Sequence, residues 1–381
     1  MSDMKKILFL TGTRADFGKL KPLMDAVQHD DQFECRVFIT GMHTLQEYGF
    51  TAKEVLRRNY DQHYTFVNQI LSEPMDLILA NTVQGLGRYV HDSPPDAIVI
   101  HGDRIEAMAG AIVGSLRNIL TIHVEGGEVS GTIDELIRHS VSKLSHVHLV
   151  ANEEASTRLM QLGEAKETIH VIGSPDIDVM LSPDLPPLDA VRERYEINFD
   201  QYGIACLHPV TTEVHLLEQH SRNFFDGLIE SNDKFVLIYP NNDDGAEIIL
   251  RHVEELRSHE NFRVIPSLRF EYFLTLLKNC EYIIGNSSAA IREAPVYGIP
   301  TVNVGTRQQN RFVYESIIDV EPSKESVLDG IQQAKSLQGI SPTDYFGKGD
   351  SAKLFSKVLH QEGFWEISKQ KVFVDVPLSS Q

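Results

Sequence analysis

Acidic, basic and imidazole side chains recur in this chain directly after short apolar runs, and these residue types move protons and hold anions. Asp103 lies in His101-Gly-Asp-Arg104, and Glu125 opens Glu125-Gly-Gly-Glu128. Each closely follows an apolar run, a position that desolvates a carboxylate and can raise its pKa. Together with Glu128, Asp134, His43 and His208 they are the candidates for acid/base work. Asp134 falls in Thr132-Ile-Asp-Glu135, which equally fits a capping box, so a helix-cap acid is the competing reading. His208 precedes Pro209, which holds it extended. A structural role competes for His208, as it does for several of the 16 histidines.

A second constellation suits an anion. Gly285-Asn-Ser287-Ser288-Ala-Ala-Ile-Arg-Glu293 follows an apolar run and opens a predicted helix. Small residues there let backbone N–H groups approach a phosphate, which the helix dipole favours. A plain serine N-cap is the alternative. Glu293, read as early in that helix, either answers the dipole or grips a ribose hydroxyl pair. Arg14, Lys19, Arg269 and Arg307 could supply the charge that phosphate oxygens need. The turn from Thr11 to Lys19 matches neither GxGxxG nor a Walker loop, which disfavours a dinucleotide or P-loop ATP site. No HExxH, CxxC or clustered ligand spacing is present, so neither a metal nor another cofactor is expected. A Gly-x-Ser-x-Gly elbow is missing too.

The elements that must position these residues alternate in type. Apolar runs predict strands at 7–10, 36–39, 97–100, 121–124, 147–150 and 170–172, then at 204–207, 235–239, 262–265, 282–284 and 301–304. Helical patterns separate them, for example at 18–28, 73–91, 104–116, 136–144 and 155–162. Nearly continuous apolar strands between amphipathic helices indicate parallel sheets covered on both faces. In such sheets ligands bind beyond the carboxyl ends of the strands, where the candidate residues cluster. The two strand series flank Ser182-Pro-Asp-Leu-Pro-Pro-Leu188, the most linker-like segment. The expected architecture is α/β: two Rossmann-like doubly wound domains facing across a cleft. Residues 1–181 are expected to form the first and 188–351 the second, and a last helix over 352–369 could pack on either, the first domain being the expected one.

Composition narrows the partners. The 381 residues carry a net charge of −19, which repels polyanions and argues against nucleic acid. No run approaches the ~20 apolar residues of a membrane span, and the first apolar run is too short for a signal peptide. Three scattered cysteines, Cys35, Cys206 and Cys280, read as core thiols, so a cytoplasmic protein is expected.

Thr11-Gly-Thr-Arg-Ala-Asp-Phe, His101-Gly-Asp-Arg, Glu125-Gly-Gly-Glu, His208-Pro-Val-Thr-Thr-Glu, Gly285-Asn-Ser-Ser-Ala and Gly305-Thr-Arg, in that order, resemble the UDP-N-acetylglucosamine 2-epimerase family. The resemblance runs from about residue 5 to about residue 365 and implies the GT-B arrangement of two Rossmann-like domains. Arg-Ala-Asp in the first turn and His-Pro-Val-Thr-Thr-Glu are similar to the hydrolysing branch, whose sialic acid pathway members convert UDP-N-acetylglucosamine and water into N-acetylmannosamine and UDP. By this resemblance Asp103, Glu125 and Asp134 are the acid/base carboxylates, and Asp16, His43 and Arg104 place the sugar. Arg14, Ser287 and Ser288 hold phosphate and Glu293 the ribose. His208 serves the pyrophosphate region and joins the catalytic set, and the backbone near Leu268 meets uracil. Lys19, Glu128, Glu213, Arg269 and Arg307 complete the substrate-binding set. Which carboxylate removes the C2 proton and which returns one stays open. The resemblance also implies a homo-oligomer, a dimer or tetramer. Rival readings are the same reaction on a UDP- or GDP-linked 2,4-diacetamido-trideoxy sugar, a retaining GT-B glycosyltransferase, and a non-catalytic UDP-sugar sensor.

Overall fold

The protein is described from a computed structural model, over residues 4–130, 133–241, 243–372 and 374–375. The apolar runs of the first half become β1 (Lys5–Thr11), β2 (Phe33–Ile39), β3 (Gln62–Thr65), β4 (Ala97–His101), β5 (Leu120–Val124), β6 (Val147–Val150) and β7 (Ile169–Val171). They form one parallel sheet in the order β3-β2-β1-β4-β5-β6-β7. Ile7 at its centre pairs with Cys35 on one side and Ala97 on the other. In the second half lie β8 (Gly203–Cys206), β9 (Phe235–Ile238), β10 (Phe262–Ile265), β11 (Tyr282–Gly285), β12 (Thr301–Val304) and β13 (Ile317–Val320). Their parallel sheet runs β10-β9-β8-β11-β12-β13. Both are doubly wound, and strand order reverses between β1 and β4 and between β8 and β11. Those two switch points are where such sheets open a crevice for ligand.

Residues buried on both faces explain why the central strands read as unbroken apolar runs. Phe9, Val37, Val99 and Ile122 meet Leu20, Leu23 and Phe355 in the core of the first sheet. Leu237, Ile284 and Val302 meet Phe224, Leu228 and Ile331 on one face of the second, while Ile204, Val236 and Ile283 meet Leu276 and Ala290 on the other. The strands without a counterpart in the sequence reading are β3 and β13. Each is an edge strand, and all four residues of β3 are exposed.

Among the described residues, contacts divide the chain into two units. The first is drawn from Met1–Glu128, Asp134–Leu181 and Tyr345–Gln381, the second from Val129–Ile133 and Ser182–Asp344. Residues 345–351, read from sequence as part of the second domain, therefore belong with the first. The reason is local hydrogen bonding: Ser174 N–H donates to the Phe346 carbonyl at 2.7 Å. Asp178 then accepts from the N–H groups of Ser351 and Ala352 at 2.9 and 2.8 Å. That carboxylate satisfies donors that the helix Ser351–Leu359 leaves open at its N-terminus. The single helix expected over 352–369 stops at Leu359, and Gly363 at φ +80° turns the chain into a short 3₁₀ turn, Phe364–Glu366. Further on, Lys371 Nζ donates to the carbonyls of Lys143 and Ser145 at 2.9 and 2.7 Å and to the Glu164 carboxylate. It thereby caps the C-terminus of the helix Ile133–Leu144.

Candidate functional site

At the first switch point the turn after β1 meets the end of β4. Thr13 caps the helix Arg14–Gln28 by accepting from Asp16 N–H at 3.1 Å, which fixes Asp16 in the first turn. Asp16 Oδ2 accepts from Gly12 N–H at 3.1 Å, and its Oδ1 lies 2.9 Å from His101 Nδ1. His101, the last residue of β4, turns its other nitrogen toward Glu125 Oε2 at 3.1 Å. Glu125 follows β5 with φ +64°, a left-handed conformation uncommon outside glycine. That conformation turns its carboxylate back over the sheet, where Ser174 Oγ donates to Oε1. Asp16, His101 and Glu125 thus form one largely buried row of ionisable groups, joined by a hydrogen bond at Asp16 and at ion-pair distance at Glu125.

Asp103, two residues past His101, is held by Arg138 Nη2. Arg138 is 3% exposed, so the carboxylate is fixed from below by a charge that cannot retreat into solvent. Arg138 also donates to the Glu128 carbonyl at 3.4 Å. Asp134 stands in the first turn of the same helix, Ile133–Leu144, one turn ahead of Arg138. The capping box expected there includes Thr132, which lies outside the described residues. Arg104 pairs with Glu106 at 3.4 Å. Glu106 in turn packs on backbone so closely that a Cβ at Gly41 would stand 2.5 Å from its Oε1.

Several residues read from sequence as substrate-facing have internal partners. His43 is fully buried, with Nε2 3.1 Å from Thr11 Oγ1 and Nδ1 2.6 Å from Thr51 Oγ1. Burial lowers its pKa to about 4, against the pull of Asp16, so it is a neutral histidine held by internal partners. Lys19, expected to offer charge to phosphate, sits 3.1 Å from the buried carboxylate of Asp176. Arg14 forms a two-pronged pair with Glu54 at 3.0 and 2.9 Å.

At the second switch point the turn after β8 meets the end of β11, and Asn286 is the joint. Its side chain accepts from His208 N–H at 2.6 Å and donates to the His208 carbonyl at 2.9 Å, mimicking a strand pair beyond the sheet. Its own carbonyl accepts from Arg307 at 3.3 Å and Gln308 at 2.8 Å. The preceding Gly285 has φ +133°, and a Cβ there would lie 1.9 Å from the Cys206 carbonyl oxygen, so only glycine lets β11 pass β8 so closely. His208 Nδ1 accepts from Asn241 N–H at 2.9 Å, which leaves the proton on Nε2 beside Cys206 Sγ at 3.4 Å. Burial pushes that thiol up to about 12, so it stays protonated. Glu213 accepts from Thr306 at 2.6 Å, bringing the loops after β8 and β12 together.

Ser287 is the N-cap of the five-residue helix Ser288–Arg292, accepting from Ala289 N–H at 3.4 Å. Glu293 is not in the first turn of that helix, as expected; it is the C-cap residue, 2% exposed. The dipole argument for it therefore falls, because the helix is a single turn. Leu268 packs on the second core, and Arg269 opens the helix Phe270–Lys278 with its guanidinium 5.7 Å from the Tyr272 ring. His101, Arg138, Ser174, Glu106 and Asn286 are absent from the residues assigned by sequence. His101 and Asn286 lie inside motifs quoted above, but Ser174 meets Glu125 across 49 positions and only the fold reveals it.

The family model described as UDP-N-acetylglucosamine 2-epimerase matches residues 25–360. A UDP-N-acetylglucosamine 2-epimerase of Neisseria meningitidis serogroup B is 50% identical over 378 residues, covering 98% of this chain and 100% of that one. The chain belongs to the UDP-N-acetylglucosamine 2-epimerase family. A Legionella pneumophila relative named UDP-N,N'-diacetylbacillosamine 2-epimerase (hydrolyzing) is 31% identical over 92% of this chain and 94% of its own. The family fold is also evident in a solved structure, the Methanocaldococcus jannaschii UDP-GlcNAc 2-epimerase in complex with UDP-GlcNAc and UDP. It superposes with a TM-score of 0.80 at 21% identity, over 93% of this chain and 99% of that one. Among the described residues no group of three His, Cys, Asp or Glu could hold a metal ion, and no helix is long and apolar enough to cross a membrane.

Proposed function

We propose that the protein is a hydrolysing UDP-N-acetylglucosamine 2-epimerase that converts UDP-N-acetylglucosamine and water into N-acetylmannosamine and UDP, the first step of sialic acid biosynthesis. The observation that carries this reading is the buried Asp16–His101–Glu125 chain, two residues from the Asp103–Arg138 pair, in a member of this family. The C2 proton of the sugar is not next to a carbonyl, so its direct removal is very unfavourable. Loss of that proton together with departure of UDP from C1 avoids the problem, because the C2–H electrons become the C1=C2 bond of 2-acetamidoglucal. Water then adds its oxygen to C1 while a proton reaches the opposite face of C2. This chemistry needs more than one positioned acid/base group and an anion clamp for the departing pyrophosphate.

In this reading the first unit serves the sugar, with Asp103, Glu125 and Asp134 as acid/base carboxylates and Asp16 and Arg104 as sugar contacts. The second unit serves UDP: His208 and Arg307 at the pyrophosphate, Ser287 and Ser288 at phosphate, Glu293 at ribose and the backbone near Leu268 at uracil. The enzyme acts in the cytoplasm as a homo-oligomer. The name of the Neisseria relative supports the substrate, and that of the Legionella relative supports hydrolysis.

NMR of the purified protein with UDP-N-acetylglucosamine in D₂O tests the proposal. Free UDP and N-acetylmannosamine deuterated at C2 are expected. A UDP-linked manno sugar would place the protein in the non-hydrolysing branch. Turnover only of a nucleotide-linked 2,4-diacetamido-trideoxy sugar would favour the sister reading that the Legionella name suggests.

A further inference from the structure

The Asp16–His101–Glu125 chain has a property that the roles above do not use. Both ring nitrogens of His101 face carboxylate oxygens, at 2.9 and 3.1 Å. An ionised carboxylate only accepts hydrogen bonds, whereas a neutral imidazole has one donor and one lone pair. Both contacts are attractive only if the ring carries two protons or one of the carboxyls carries one. Asp16 is an acceptor on each side, its Oδ2 taking the Gly12 N–H. The exchangeable proton therefore belongs to the pair His101 Nε2 and Glu125 Oε2, which stand at ion-pair distance, 3.1 Å, without a formed hydrogen bond.

We propose that His101 is a positioning residue that stores the proton Glu125 uses, handing it from Nε2 to Oε2 and recovering it in each turnover. The proposal rests on the hydrolysing reading above. In the transfer the Nε2–H bond breaks and an Oε2–H bond forms. Imidazolium and carboxylate become neutral imidazole and carboxylic acid, so no net charge is created in a buried place. Once Glu125 has given its proton to the substrate, the proton lost by the water adding at C1 restores the store. Ser174, donating to Oε1, keeps the carboxyl oriented through both states.

The surroundings favour the loaded form. Among the described residues, Asp16 from the helix Arg14–Gln28 and Glu125 after β5 face the ring, and His123 within β5 acts on it electrostatically. Burial lowers His123 to about 3, so it is neutral, with its nitrogens on Ser142 Oγ and the Gly102 carbonyl. Desolvation would lower His101 as well, but Glu125 and Asp16 outweigh it and raise the ring to about 9.

The test compares wild type with His101→Gln. Wild-type kcat should fall along an alkaline limb near pH 9. The variant should lose ~10²-fold in kcat, keep its UDP affinity within a few-fold, and lack that limb. A variant with near wild-type kcat, or with the same alkaline limb, would overturn the proposal. Ring ¹⁵N shifts of His101 in the wild-type protein give a readout independent of substitution and turnover. Two protonated nitrogens at pH 7.5, lost on passing pH 9, support the store; a neutral ring at pH 7.5 refutes it. If wild type does not turn over UDP-N-acetylglucosamine, the hydrolysing reading fails on its own, while the ring shifts still decide the protonation.

Discussion

Glu125 holds a backbone conformation that most side chains avoid, with Ser174 and His101 at its carboxylate and its backbone N–H donating to the Leu149 carbonyl at 2.9 Å. Such over-determination is how a strained residue persists, at a cost of about 1–3 kcal/mol. Glu125→Gln and Asp103→Asn should each lower turnover by ~10²-fold or more while UDP still binds, as followed by calorimetry. Near wild-type rates in both would remove them from the chemistry. Asn286→Asp keeps the size of the joint but sets a carboxylate oxygen against the His208 carbonyl, in place of a 2.9 Å hydrogen bond. We expect a loss of about 1–3 kcal/mol in stability and weaker UDP binding; unchanged urea midpoint and affinity would show that the joint is idle. At this scale the sequence placed Asp16, Asp103, Glu125 and His208 just beyond strand ends, and that is where they stand. It did not show the partners that come from far along the chain. Nothing near His43 announces Thr51, and nothing near Lys19 announces Asp176.

Among the elements, the helix Ser351–Leu359 shows how a distant segment completes a core. Phe355 is fully buried and meets Phe9 edge-on, with centroids 6.5 Å apart. Phe355→Ala should cost about 3–5 kcal/mol, read as a lower urea midpoint. A shift below ~1 kcal/mol, the range typical of surface sites, would mean the helix is an ornament on the first unit. The central strands were legible because burial on both faces writes an unbroken apolar run. Edge strand β3, Gln62-His-Tyr-Thr65, has no such run, since its four side chains face solvent. Its partner β2 defines it, through pairs such as Val37 with His63.

For the molecule as a whole, His43, His123 and the largely buried His101 give the response to pH two opposing limbs, and burial lowers His146 and His148 as well, on the acid side. Burial holds His43 and His123 at about 4 and about 3, well under the ~6.5 of an unfolded histidine. Between those values the unfolded chain binds more protons, so their contribution is full above pH ~6.5 and declines as pH falls toward 4. His101, raised to about 9, behaves oppositely: its contribution is full below ~6.5 and declines as pH rises through 9. Each histidine contributes on the order of 1.4 kcal/mol per pKa unit. Urea midpoints measured from pH 4 to 9.5 should therefore peak near pH 6.5, and His101→Gln should flatten the alkaline side only. A profile that rises steadily to pH 9 would contradict the charged ring. The division into two doubly wound sheets was legible at this scale, from the two strand series and Ser182-Pro-Asp-Leu-Pro-Pro-Leu188. The return of residues 345–351 to the first unit, ahead of the helix expected there, was not, because their partners Ser174 and Asp178 come from far along the chain.

That return has a consequence for birth on the ribosome. The helix carrying Asp134 and Arg138 receives its Lys371 cap only after the ~160 residues of the second unit have been translated, a delay of roughly 10–30 s at common elongation rates. The second unit can close while the first still waits with Phe9 and Val37 short of their last neighbours. The nascent chain in that interval leaves part of the first unit's apolar core uncovered, so the first unit matures last.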